Sequence, residues 1–474
     1  MEWGEAAGYT ALLFGLSVLR YRLWYAWGLD LALYGQGLWL LTHRGISAVS
    51  SFTGHPILAN SANYILLPLA PLYNLGGVYV LLLVQACAYG LGYVFIRGIA
   101  RELGVGDGWA HLTGIVYFAY PTILAANISD FHPDALGVPI LFGLALAACK
   151  GHRVAYGTLL AAALLVKDTV PIVLLGLSVA LLLQGRAAWS ALTGVIGLTS
   201  GYLDVEVIIP AVQHAPLVHW QPYYGSLGAT PLQGVATLAH HPALLFAWAA
   251  RVGAWASLGF LLGPFATLAV LPRARIINSW WLPGLALCEA NLLSPEPLLS
   301  NPFNEMYVLA VPFFFVATLA GLRRVRPSLS HVPAVRGAVL APVAVFLTLY
   351  VWVGAYGYLR SGHPPSPSAA AAAIAAVPRS APVLAQDIVI AHVPPRPQMW
   401  ATPVLLDGVD LPEGTYVILD PSLTMAELIP QSLLEQLLSQ LANDGQAQMT
   451  FSQDHVIVYR LLRPLRFSPA HAPK

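Results

Sequence analysis

The chain has 474 residues, of which 57% are hydrophobic and 9% charged, and its net charge is +1. A soluble domain carries roughly 25% charged residues, so most of this chain is built for lipid rather than water. Near-neutral charge without a basic tract argues against a nucleic-acid partner. Cys87, Cys149 and Cys288 sit in apolar runs without CxxC spacing and give no sign of a disulfide framework or a zinc site.

The first apolar segment, 6–27, follows Glu2 and Glu5 instead of a basic stretch and has no small-residue cleavage site behind it, so it reads as a retained anchor. An amphipathic helix at about 30–43 is expected to rest on the membrane surface, with Asp30 at its start and Tyr34 and Trp39 at headgroup level. The run 63–75 would be about 20 Å long as a helix, short of the ~30 Å hydrocarbon core, and is expected at the interface, broken by Pro68 and Pro71. Spanning segments then fall at 78–100, 109–127, 134–150, 187–209, 243–271, 278–294, 304–322 and 337–358.

Between 154 and 184, two apolar pieces flank Lys167-Asp168, and the positive-inside rule favours two short helices there over one long one. That choice puts Arg97, Arg101, Lys150, Arg153, Arg186, Arg273, Arg275, Arg323, Arg324, Arg326 and Arg336 in cytoplasmic loops. It predicts about eleven spanning helices, a cytoplasmic N-terminus and external loops at 28–77, 128–133, 210–242 and 295–303. Asp30, Asp130, Asp134, Asp168, Asp204, Glu206, Glu289, Glu296 and Glu305 then share the external side, which suggests a wet, outward-facing cavity.

Three segments carry chemistry. Asp30 opens the first surface helix. Ser129-Asp130-Phe131-His132-Pro133-Asp134 leads into a span: its acids suit a helix N-terminus, or with His132 they form a hydroxyl or cation site of the oxygen-rich kind that suits Mg²⁺ or Mn²⁺. Lys167 needs an anion, supplied either by Asp168 or by a bound phosphate. The long external loop 211–242, with His214, His219, Trp220, Tyr223 and Tyr224, is a candidate cover.

A Pro/Ser/Ala tract at 361–373 reads as a linker to a soluble region, 374–474. Strand-like runs at Val383–Ala385, Val404–Leu406 and Tyr416–Leu419, a helix from Glu427 to Leu441, and a closing hairpin of Gln448–Phe451 and His455–Leu461 predict a small α/β domain with a mostly parallel sheet. The fold class is therefore an α-helical polytopic membrane protein, 1–360, with a small C-terminal α/β domain outside the membrane.

Asp30, Tyr34, Gln36 and Trp39, then Pro68, Pro71, Leu72 and Tyr73 with Gln85, the Asp130-Phe131-His132-Pro133 box and Lys167-Asp168 together resemble the prokaryotic membrane family catalogued as domain of unknown function 2079. The resemblance covers most of the chain. That family is similar in turn to the GT-C glycosyltransferase superfamily, which includes protein mannosyltransferases and aminoarabinose transferases. The resemblance implies transfer of a sugar, with inversion, from a polyprenyl phosphate or diphosphate to an acceptor on the extracytoplasmic side of the cell membrane.

It also implies a division of roles. Asp30 is expected as general base, Lys167 with Arg20 or Arg22 as the phosphate holders, and Asp130, His132 and Asp134 as contacts for sugar hydroxyls or a divalent cation. Gln36, His55, Asp168 and Tyr307 join them as candidate substrate contacts. The expected partners are the bilayer, a polyprenyl-linked sugar donor and an acceptor of unspecified class. The competing expectation is a non-catalytic transporter, scramblase or envelope-assembly protein on the same scaffold. Internal repeats, common in transporters, are not evident in the sequence.

Overall fold

The computed structural model describes residues 2–26, 28–214, 220–244, 252–266, 268, 271, 273–275, 277–294, 296, 299, 301–303, 305–361, 364–406, 408–423, 430–443 and 445–468. His219, Glu427 and the 245–251 part of the span expected at 243–271 lie outside them. The chain begins with helices α1 (Glu2–Arg22), α2 (Gly28–His43), α3 (Leu66–Gly76), α4 (Val78–Glu102), α5 (Asp107–Phe118), α6 (Pro121–Ser129), α7 (Asp134–Lys150), α8 (Arg153–Leu164), α9 (Val170–Leu183) and α10 (Ala187–Tyr202).

Among the described residues five helical stretches are long and apolar enough to cross a membrane: Val78–Glu102, Asp107–Ser129, Ala187–Gln213, Glu305–Leu322 and Pro333–Trp352. Shorter apolar helices accompany them, including α8 and α9. At about 1.5 Å per residue α8 and α9 reach only about 18 and 21 Å, so the turn between them is drawn below the level of a full span. This matches the two-short-helix reading of 154–184. The core of the bundle forms where α4 packs between α1 and α7, and where α4 and α7 pack on the helix Val311–Leu322. Its buried aromatic rings meet edge to face, Tyr117 and Phe315 at 5.3 Å and 87°.

Two local expectations change. The α3 helix is not broken by its prolines: Pro68 occupies the first turn, where a missing N–H costs nothing, and the helix continues through Pro71 to Gly76. The span expected at 109–127 is kept as the stretch Asp107–Ser129 but breaks locally at Ala119-Tyr120, because Pro121 starts α6 and holds Tyr120 in an extended conformation.

The C-terminal region is a five-stranded mixed sheet in the order β2-β1-β4-β6-β5, made of β1 (Val383–Ala385), β2 (Met399–Ala401), β4 (Tyr416–Leu419), β5 (Ala447–Gln453) and β6 (Val456–Leu461). A separate antiparallel pair joins β3 (Val409–Leu411) to β7 (Leu465–Phe467). The sheet is parallel only where β1 meets β2 and β4; β4, β6 and β5 run antiparallel. The expectation of a mostly parallel sheet is corrected by the closing hairpin, which adds two antiparallel strands around Asp454 and His455, both in the left-handed region.

Val404–Leu406 is not a strand. It lies in a 3₁₀ turn, and Met399–Ala401 pairs with β1 instead. The expected linker is also more ordered than its composition suggests. Within it begins the helix Pro367–Ala375, whose Ala369, Ala370 and Ala373 are buried in the core beneath the sheet. Alanine has the highest helix propensity and lets the helix lie close to the strands.

Candidate active site

Site geometry begins at the ends of α1, α2 and α7. Arg20, in the last turn of α1, donates from Nη1 to the carbonyls of Ile128 and Ser129 at the end of α6, and lies 3.9 Å from the Asp130 carboxylate. Gln85 of α4 ties down the Asp130–His132 loop: its amide N–H donates to the Asp130 carbonyl at 2.7 Å, and its Oε1 accepts from the His132 N–H at 2.9 Å. His132, itself buried, directs Nδ1 toward Asp30 at 4.0 Å and Nε2 toward the Ser129 hydroxyl at 3.2 Å.

Lys167, in the turn between α8 and α9, reaches the first turn of α7, where Nζ meets both oxygens of Asp134 at 3.1 and 3.2 Å. Of the two anions expected for Lys167, Asp168 or a bound phosphate, the neighbouring Asp168 does not form the ion pair; Asp134 does, because α7 and the α8/α9 turn end side by side. The segment before α3 is bound to the same turn. Asn63 donates to the Val166 carbonyl at 2.9 Å, Ile65 N–H to Leu165 at 2.7 Å, and Asp168 N–H to Ser61 at 3.0 Å.

The acids differ sharply in access. Asp130 and Asp134 are 4% and 3% exposed at the side chain, whereas Asp30 is 41% exposed. The protein around Asp30 still raises its carboxyl above the usual range by desolvation, and His132 opposes that rise; Glu305, Lys167 and Asp134 act on it as well. Burial holds Asp130 well above its ordinary value, with Arg20 pulling the other way. Asp168 is pushed up to about 6 by burial, moderated by Lys167. Burial works against the Lys167 ammonium, but Asp134, Asp168 and Glu305 together outweigh it and raise the group overall.

Asp387, missed by the sequence reading, and Glu305, expected on the external side, belong to this neighbourhood. Asp387, from the C-terminal region, accepts the Gly28 N–H at 3.3 Å and also the N–H of Leu29, so it caps the helix that carries Asp30. Burial raises Asp387 to about 6, and the charges of Asp30 and Arg20 reach it. Glu305 acts electrostatically on Asp30, Asp130 and Lys167 and thus faces the same space. Tyr223 of the expected cover loop experiences Lys167, Glu305 and Asp30 together.

The docking of the C-terminal region on α2 is close. A Cβ on Gly28 would come within 1.5 Å of the Asp387 carbonyl oxygen, so only glycine fits there. His392 stacks on Trp24 at 3.8 Å and on Tyr21 at 4.2 Å, and burial lowers it to about 4.

Other sequence candidates do not join Asp30. Gln36 is buried and spends its amide on the joint between α2 and the C-terminal region, donating to Ser51, Arg396 and Pro397 and accepting from Ser50. Arg22 lies two positions from Arg20 on a different face of α1, exposed and 5.7 Å above the Tyr79 ring. His55 faces Gln213 at 3.3 Å, and burial lowers its pKa. Tyr307 is buried and donates to the Leu299 carbonyl at 2.6 Å.

Asp130, His132 and Asp134, the candidate cation or hydroxyl contacts, do not form one cluster. Their side chains point to three partners, Arg20, Asp30 and Lys167. Among the described residues no group of three or more His, Cys, Asp or Glu side chains is arranged to hold a metal ion.

A bundle of apolar helices whose surface helices and C-terminal domain enclose acids, an arginine and a lysine at one end defines a multi-pass membrane protein of the GT-C glycosyltransferase-like fold. The structure of ArnT from Cupriavidus metallidurans bound to undecaprenyl phosphate superposes with a TM-score of 0.53 at 13% identity, covering 95% of this chain and 98% of that one. The apo structure of the same protein gives 0.51 at 15% identity, covering 96% and 98%. The model of the predicted membrane protein family DUF2079 matches residues 20–457, and the chain belongs to that family. No curated protein sequence matches it.

Proposed function

We propose that this protein is an integral-membrane glycosyltransferase that moves a sugar from a polyprenyl phosphate or diphosphate to an acceptor on the extracytoplasmic side. The observation that carries the reading is the difference in access among the acids: Asp30 is open, while Asp130, Asp134 and Asp387 are buried around it. A base must reach the acceptor hydroxyl, and Asp30 is the carboxylate placed to do so. Burial raises its pKa, which makes the ionised carboxylate a stronger base.

Lys167, whose charge reaches Asp30, and Arg20, beside Asp130, are the cations that would stabilise a departing phosphate. His132 orients Asp30, and the Gln85 clamp fixes His132. Asp387 holds the start of α2 and keeps Asp30 at one position, so the C-terminal domain is a positioning element of the site. The lipid carrier of the ArnT complex supports a polyprenyl donor here by likeness of fold.

The test is transfer from a labelled polyprenyl-linked sugar by the purified, reconstituted protein. Wild type should release lipid phosphate and transfer label, and Asp30→Asn should lower the rate by about 10²–10⁴ with folding unchanged. Solute flux without lipid-phosphate release would favour the transporter reading and remove Asp30 from a catalytic role.

A further inference from the structure

A cavity of about 500 Å³ lies where α4, α7 and α9 end. α7 and α9 begin at the Asp134–Lys167 pair and run 17 and 14 residues, so this cavity is roughly 20–25 Å from Asp30's neighbourhood, at the opposite end of the bundle. Arg186, Arg275, Arg323 and Arg324 line it, with Glu102 as the one acid among the lining residues. A chain with a net charge of +1 thus concentrates an excess of three positive charges in one concavity.

The wall is built as well as charged. Arg186 is held by its donation to the Ala148 carbonyl at the end of α7. Gln184 donates to the Ser279 hydroxyl at 3.0 Å, and Asn278 donates to the Ala317 carbonyl at 2.9 Å while accepting from the Trp280 N–H. Among the described residues Arg275, Arg323 and Arg324 have no carboxylate within ion-pair distance. Like charges brought this close repel unless an anion sits between them, and planar guanidinium groups fit the oxygens of a phosphate.

We infer that this cavity is a binding site for a phosphate-bearing anion, separate from the site around Asp30. The phosphate belongs either to the headgroup of an anionic membrane lipid or to free inorganic phosphate. The positive-inside asymmetry puts this end of the bundle at the cytosolic leaflet, where basic pockets between helices meet acidic headgroups. Leu182 and Leu183, 56% and 69% exposed at the end of α9, and Ile277, 98% exposed, supply apolar surface beside the cavity for acyl chains.

The full-length protein, purified in detergent, is mixed with equal amounts of dioleoyl phosphatidylglycerol and dioleoyl phosphatidylcholine, and retained lipid is counted by native mass spectrometry. A parallel arm measures the thermal midpoint with and without inorganic phosphate. Preferential retention of the glycerol lipid supports the headgroup source; a phosphate-dependent rise in midpoint supports the free anion. In either arm Arg275→Gln/Arg323→Gln/Arg324→Gln, all exposed positions, should weaken binding about tenfold or more, and Glu102→Gln should strengthen it. No preference and no phosphate effect in wild type, or equal binding by wild type and the triple variant, would overturn the site and make these arginines topology signals alone. Neither result touches Asp30, so failure here is distinguishable from failure of the transferase reading.

Discussion

Lys167 and Asp134 form a buried ion pair at the foot of α7, and each side chain depends on the other. Lys167→Ala leaves Asp134 charged and without its cation, which should cost about 3–5 kcal/mol of stability. The double variant Lys167→Met/Asp134→Leu should recover most of that loss without recovering transfer, and denaturation monitored alongside activity separates the two effects. Asp387 offers a pH-linked test. Its folded value, about 6, lies above its unfolded one, about 4. The folded state therefore holds more protons in that window, and stability falls as pH rises from about 4 to about 6, remaining lower above. Asp387→Asn keeps an acceptor for the α2 cap but cannot ionise. The melting midpoint of wild type relative to this variant should drop across the window; a difference that stays constant with pH would show that Asp387 does not titrate there.

At the N-terminus of α2, Gly28 lets the backbone of the C-terminal region approach to contact. Gly28→Ala should push that region away, exposing the 387–392 segment to hydrogen exchange and lowering transfer, while the apolar bundle keeps its protection. Unchanged exchange there would mean the joint tolerates a side chain. What the sequence revealed follows the range of the interactions. Helix starts at Asp30 and Asp134, the break at Lys167-Asp168 and the closing hairpin depend on neighbours in the chain, and all were legible. Asp387 acts on a helix 359 positions away, and only an acid just after strand β1 hinted at it. The choice of Asp134 over Asp168 as the lysine's partner depends on which helix ends meet. Gln36 is a candidate substrate contact only through the family resemblance; its carbonyl partners at Arg396 and Pro397 exist only once the C-terminal domain docks.

Taken together, the bundle has two chemically different ends. One gathers Asp30, Asp130, Lys167 and Arg20 beneath the C-terminal domain; the other gathers arginines at the ends of α4, α7 and α9. Hydropathy and the basic loops already implied this polarity, whereas the mixed sheet and the helix in the Ala-rich tract did not follow from pattern alone, because strand order is a tertiary choice. The expected sidedness is testable by adding single cysteines to a variant without the three native ones. Ser366→Cys, before the C-terminal sheet, should react with an impermeant maleimide applied outside the cell, and Arg324→Cys should react only after permeabilisation. The reverse pattern would place the acid-rich end in the cytosol. The most direct test of the donor pocket is a cryo-EM map of the protein in nanodiscs with a bound polyprenyl phosphate. Phosphate density within ion-pair reach of Lys167 or Arg20 and beside Asp30 is the predicted result; density elsewhere, with that pocket empty at saturating lipid, would contradict it.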